Sequence, residues 1–149
     1  MTTDEVKAYL RQAYKLDTNL QLEKLSLEKL WSSVEYHSPS FDGMGGHGNG
    51  DKIGAAVSSI VDREQKYDAL ALAYTTKYRE IEKVIESVGE DSMISVLKLR
   101  YLHYMKWEEI ADKMHYALRT VHHIHGRALE KIALNCTIAP WYNYNSQEG

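Results

Sequence analysis

From Ile53 to Val88 the inward-type positions of this 149-residue chain alternate four and three residues apart. Ile53, Val57, Ile60, Glu64, Tyr67, Ala71, Tyr74, Tyr78, Ile81, Ile85 and Val88 keep the register, and Glu64 is its single charged member. No Gly or Pro interrupts the run after Gly54. That period belongs to a helix, and a stripe held over about five heptads needs another helix to cover it. About 36 residues at 1.5 Å each give a rod of roughly 54 Å. The tyrosines widen the seam, and their hydroxyls can reach its rim.

The partner is found upstream. Thr2 and Glu5 have the spacing of a capping box, which opens a helix. Val6, Leu10, Ala13, Asp17, Leu20, Lys24, Leu27, Trp31 and Val34 then repeat the same alternation. One long helix is expected, ending before Ser38-Pro39 because the residue ahead of Pro avoids helical backbone. The Gly-rich stretch 38–52 between the two patterns reads as a loop. Gly43, Gly45 and Gly48 formally match a dinucleotide fingerprint, but no strand precedes them and no βαβ pattern surrounds them. An antiparallel helical hairpin over residues 1–90 follows, with a second copy of the chain as another source of covering surface.

Gly89 is placed to end the long helix, and Asp91 or Ser92 to cap the next. Residues 93–104 make a support helix with Ile94, Leu97, Tyr101 and Leu102 inward and Lys98 and Arg100 outward. Two short amphipathic segments complete the domain. Trp107, Ile110, Ala111 and Met114 form the stripe of the first; Val121, Ile124, Ala128 and Leu129 form that of the second, expected over Leu118–Lys131. The corner between them, His115, Tyr116 and Ala117, is short enough to force a steep crossing, as in a helix-turn-helix. The free side of the second helix carries Leu118, Arg119, Thr120, His122, His123 and Arg127, with no acid before Glu130. A polar face with fixed positive charge suits a major groove.

The net charge of −3 hides an asymmetry. Residues 1–91 hold 11 Lys and Arg against 16 Asp and Glu, whereas residues 92–134 hold 7 against 4 and five of the seven histidines. A modest basic footprint on the C-terminal part fits DNA, with weak and salt-sensitive non-specific affinity. The histidines are expected to face DNA or water, so binding should be tighter at pH 6 than at pH 8. His122 and His125 share a face, but His115, His122, His123 and His125 lack acids or a second cysteine at ligand spacing, and no metal is expected. The single Cys136 excludes an intrachain disulfide. Neither a signal-peptide core nor an apolar run of about 18 residues is present, so the expectation is a soluble cytoplasmic protein with no membrane contact. No nucleophile stands with a base, and neither an enzyme nor a cofactor is expected.

Residues 96–132, VLKLRYLHYMKWEEIADKMHYALRTVHHIHGRALEKI, resemble region 4 of bacterial sigma-70-type factors. The likeness lies in the L-x-x-R-Y helix, the W-E-E-I-A opening and the V-x-x-I-x-x-x-A-L stripe. The layout of the whole chain is similar to the small regulators of Gram-positive phages of the ArpU and RinA late-activator types. The resemblance implies a transcriptional regulator in a bacterial host cell. Three positions depart from the family pattern. His115 stands where Gly usually takes a left-handed backbone, Ala117 replaces a capping Ser or Thr, and Lys106 replaces a capping Thr. Base-reading positions hold Leu118, Arg119, His122 and His123, so a −35-type promoter element is not the implied target.

The expected fold is all-α: a long antiparallel helical hairpin (1–90), a sigma-region-4-like helix-turn-helix domain (91–134) and a tail (135–149). In the expected mode of binding, Arg119, Thr120, His122 and His123 read bases beside Leu118. Lys106, Lys113 and Arg127 hold phosphates. Double-stranded DNA is the expected partner, with RNA polymerase and a homodimer through the long helices as further candidates. A phage DNA-packaging adaptor of small-terminase plan, or a module docking on RNA polymerase, is the alternative.

Overall fold

The computed structural model describes residues 1–36 and 49–135. These are all-helical, in six helices: α1 (Thr3–Leu10), α2 (Gln12–Tyr36), α3 (Asn49–Glu86), α4 (Asp91–Tyr101), α5 (Trp107–Met114) and α6 (Leu118–Asn135). Most of the Gly-rich stretch, and the tail with Trp141, lie outside the described residues.

Thr2 opens α1 with the full capping box. Its backbone N–H donates to Glu5 at 2.6 Å, and its hydroxyl accepts from the Glu5 N–H at 3.2 Å. The single helix expected from residue 2 onward is divided at Arg11. Arg11 keeps φ −74° but opens ψ to −9°, and helical bonding resumes when the Lys15 N–H reaches the Arg11 carbonyl at 3.2 Å. A loosened turn of one residue therefore separates α1 from α2.

α3 runs for 38 residues, about 57 Å. All eleven of its expected seam positions, from Ile53 to Val88, are buried or half-buried. It begins at Asn49, inside the stretch expected to be loop, and ends two residues before Val88. Gly89 then takes φ +76°, the left-handed conformation that closes a helix most easily with no side chain.

The chain forms two compact units, which divide elsewhere than at residue 90. One joins Met1–Lys15 to Thr75–Gly149; the other is Leu16–Tyr74. In the first, α6 packs on α1, α4 and α5. Val6, Leu10, Ile81, Ile85, Val96, Leu97, Ile110, Val121, Leu129 and Ile132 are among its fully buried side chains, contributed by α1, α3, α4, α5 and α6. In the second, the Trp31 indole donates to Glu64 at 2.9 Å, and Lys66 lies 3.9 Å from Glu23.

α4 starts one residue earlier than Asp91 or Ser92 as a cap would allow. Glu90 is its cap position and gives it no side-chain bond. Leu97, Tyr101 and Leu102 are buried as expected, joined by Met93 and Val96, while Ile94 is half-buried. Lys98 is not a free outward cation: it sits 2.8 Å from Glu86 and 3.5 Å from Glu82. α6 extends four residues past the expected end at Lys131, because Ile132 continues its stripe into the core.

Candidate nucleic-acid interface

Trp107 and Ile110 bring α5 onto α4 and α6 around Val96, Ala111 and Val121, with Leu99, Met105, Met114 and Ile124 at the edge of that cluster. The start of α5 is closed by an unexpected route. Lysine has no acceptor to offer as a cap. Instead the Glu109 carboxylate accepts the Lys106 backbone N–H at 2.8 Å. At the other end His115 adopts φ +57°, ψ +39°. The Tyr116 N–H reaches the Ala111 carbonyl at 3.1 Å and the His115 N–H reaches that of Asp112 at 3.3 Å, the bond pair of a Schellman closure. The left-handed corner expected at His115 is present, with its Cβ strain.

The next residues begin α6 with its outer face bare. Leu118, Arg119, Thr120, His122, His123 and Arg127 are all exposed, and so are Lys106 and Lys113 from the α5 side. Leu118 itself is 40 % exposed. Among the described residues none of Lys106, Lys113, Arg119 and Arg127 is ion-paired; the cations that are, Lys7, Lys66, Lys77 and Lys98, stand elsewhere in the chain. All eight expected contact residues therefore lie on the exposed surface of one helix pair.

His125 departs from the expectation that the histidines face outward. It is 7 % exposed, and its Nε2 lies 2.8 Å from the Tyr101 hydroxyl. Burial, then the nearby charges of Lys7, Arg100, His122 and Arg11, push its imidazole down to about 4. It is a neutral core histidine at ordinary pH, and burial likewise raises the Tyr101 hydroxyl above its usual range. The sequence did hold a signal: His125 lies four residues after Val121 and four before Leu129, on the apolar stripe.

Trp107 is the brace between the bare face and this core. Its ring lies 4.6 Å from that of His125 and 4.8 Å from that of His122. The Arg100 guanidinium stacks on it at 4.4 Å and donates to the Met105 carbonyl at 2.9 Å. Arg100 is thus half-buried and engaged, contrary to its expected outward pose. Within α6, a Cβ added at Gly126 would meet nothing within 4 Å.

Among the described residues no three His, Cys, Asp or Glu side chains converge as a metal site, and no helix is long and apolar enough to cross a membrane. No family model, curated protein or solved structure matches the chain.

Proposed function

We propose that the chain binds double-stranded DNA through α6, as a sequence-specific transcriptional regulator of phage or prophage type. The supporting observation is the outer face of α6, bare along Leu118–Arg127 and free of carboxylate partners among the described residues. Helix α5, the left-handed corner at His115 and α6 form the helix-turn-helix in this proposal. Arg119 contacts a guanine edge, with Thr120, His122 and His123 reading neighbouring bases. Lys106, Lys113 and Arg127 hold phosphates and set the register. Trp107 backs His122 from within, its ring tilted 49° to the imidazole, so that side chain is offered to the groove against a fixed aromatic wall.

Leu16–Tyr74 is the helical hairpin of this proposal. Its two polar pairs, Glu23 with Lys66 and Trp31 with Glu64, run in opposite order along α2 and α3, as an antiparallel hairpin requires. Selection of bound fragments from genomic DNA, followed by footprinting, tests the proposal. A protected site whose affinity collapses in Arg119→Ala supports it. Recovery of no preferred sequence, with wild-type and variant binding alike, contradicts it.

A further inference from the structure

A concavity in the first unit has a chemistry that the DNA proposal does not use. Arg11, Tyr14, Arg100, Tyr101 and Tyr104 line it, and its volume is about 410 Å³. Sites for small molecules begin at about 300 Å³ and combine aromatic walls with a few fixed polar groups. Residues from the α1–α2 junction meet residues from α4 and the turn after it, so the site exists only in the folded unit.

Charge is its first feature. Two guanidinia share this space, and among the described residues neither is ion-paired with a carboxylate. Arg100 is held in place by the Met105 carbonyl and the Trp107 ring, which leaves its charge uncompensated. The buried neighbour His125 registers the field: after burial itself, Arg100 and Arg11 are among the charges that hold it neutral. Shape is the second feature. Tyr14 and Tyr104 meet edge to face with centroids 5.2 Å apart. Tyr104 does so from a left-handed backbone, φ +58°, where glycine would be comfortable. The Met105 N–H, bonded to the Leu99 carbonyl at 3.0 Å, fixes that turn.

From this convergence of two uncompensated guanidinia and three tyrosines we infer a binding site for a small aromatic phosphate of nucleoside-monophosphate size. The guanidinia take the phosphate through paired N–H donors, and Tyr14 and Tyr104 take the ring. A duplex phosphate would use the arginines but leave the aromatic walls unoccupied. This inference stands independently of the DNA proposal, because it concerns binding without DNA.

Isothermal titration of the full chain with AMP, GMP, CMP and UMP, with adenosine and with inorganic phosphate, tests it. At least one monophosphate is expected to bind saturably, with Kd on the order of micromolar to millimolar. Adenosine and inorganic phosphate should each bind roughly tenfold or more weakly than the best monophosphate, since each keeps only one set of contacts. Arg11→Ala should lower monophosphate affinity by about tenfold or more. Tyr14→Ala should lower it too while leaving inorganic phosphate unchanged. Both positions are solvent-exposed, and an unchanged thermal midpoint verifies that each variant is folded. No saturable binding of any monophosphate up to about 10 mM would overturn the inference. So would binding indifferent to both substitutions. Loss of duplex affinity in Arg11→Ala, with no monophosphate bound by wild type, would reassign the site to the DNA backbone and equally overturn it.

Discussion

The two compact units use one helical seam to different depths. In the unit made of Met1–Lys15 and Thr75–Gly149, the seam residues Ile81, Ile85 and Val88 are 0–1 % exposed. In Leu16–Tyr74 the same alternation leaves Ile53, Val57, Tyr67, Ala71 and Tyr74 only half-buried, and among the described residues Ile60, Leu20 and Leu27 are its buried apolar side chains. Leu22, Leu25 and Leu72 are 58 %, 61 % and 70 % exposed there. Periodicity decides that a helix forms and which side turns inward. Depth depends on how many helices meet that side. Stabilisation scales with apolar area removed from water, so the first unit holds most of it.

Alanine scanning breaks or sharpens this contrast most strongly. Leu97→Ala, at a site with no exposure, should cost about 2–5 kcal/mol in urea unfolding. Val57→Ala, half-buried in the second unit, should cost about 1 kcal/mol. Equal losses would erase the distinction between deep and shallow packing.

Acid provides the next test, because His125 belongs to the deep unit alone. Its folded value near 4 lies below the ordinary 6.5. Between those values the unfolded chain takes up a proton that the folded chain refuses, so stability falls as pH falls. The stabilising contribution is complete above pH 6.5 and should diminish by about 3 kcal/mol as pH approaches 4. His125→Asn should flatten that part of the curve measured by denaturant titration. A variant as acid-sensitive as wild type would show that His125 does not carry the effect.

Function should divide along the same line. Arg119→Ala is expected to weaken binding to a cognate duplex by about 1–3 kcal/mol and to relax preference at one base pair. Lys113→Ala should weaken all sequences alike, whereas Lys66→Ala in the second unit should leave affinity unchanged. Anisotropy titrations at fixed salt measure all three, and an effect of Lys66→Ala as large as that of Arg119→Ala would move the contact surface to the second unit.

The smallest effects concern local backbone in α6. Gly126→Ala should raise stability by about 1 kcal/mol, since the space is empty and alanine is the better helix former. Ala117→Ser should add about 0.5–1 kcal/mol by capping the first turn. Thermal unfolding checks both; a loss in Gly126→Ala would reveal a steric role for the glycine.

Much of the helical framework was legible because each signal was local and physical. The capping residues Thr2 and Glu5, the seam of α3 and the left-handed positions at Gly89 and His115 each depend on neighbours within a turn or two. The exposed face from Leu118 to Arg127 was legible for the same reason, as the complement of an apolar stripe. Features formed across distance were not. Nothing at Arg100 announces its stack on Trp107, and nothing at Arg11 announces that it shares a cavity with Tyr104. Glu109 reaches back to the Lys106 N–H and closes the helix start, although Lys106 itself is no capping residue. The break at Arg11 escaped because a change in ψ at one residue leaves the four-three pattern intact.

Backbone-amide NMR mapping on adding a duplex recovered by genomic selection tests the central claim most directly. Shifts concentrated at Leu118–Arg127, Lys106 and Lys113, and abolished by Arg119→Ala, are the predicted result. Shifts confined to Leu16–Tyr74, or none at saturating duplex, would contradict it.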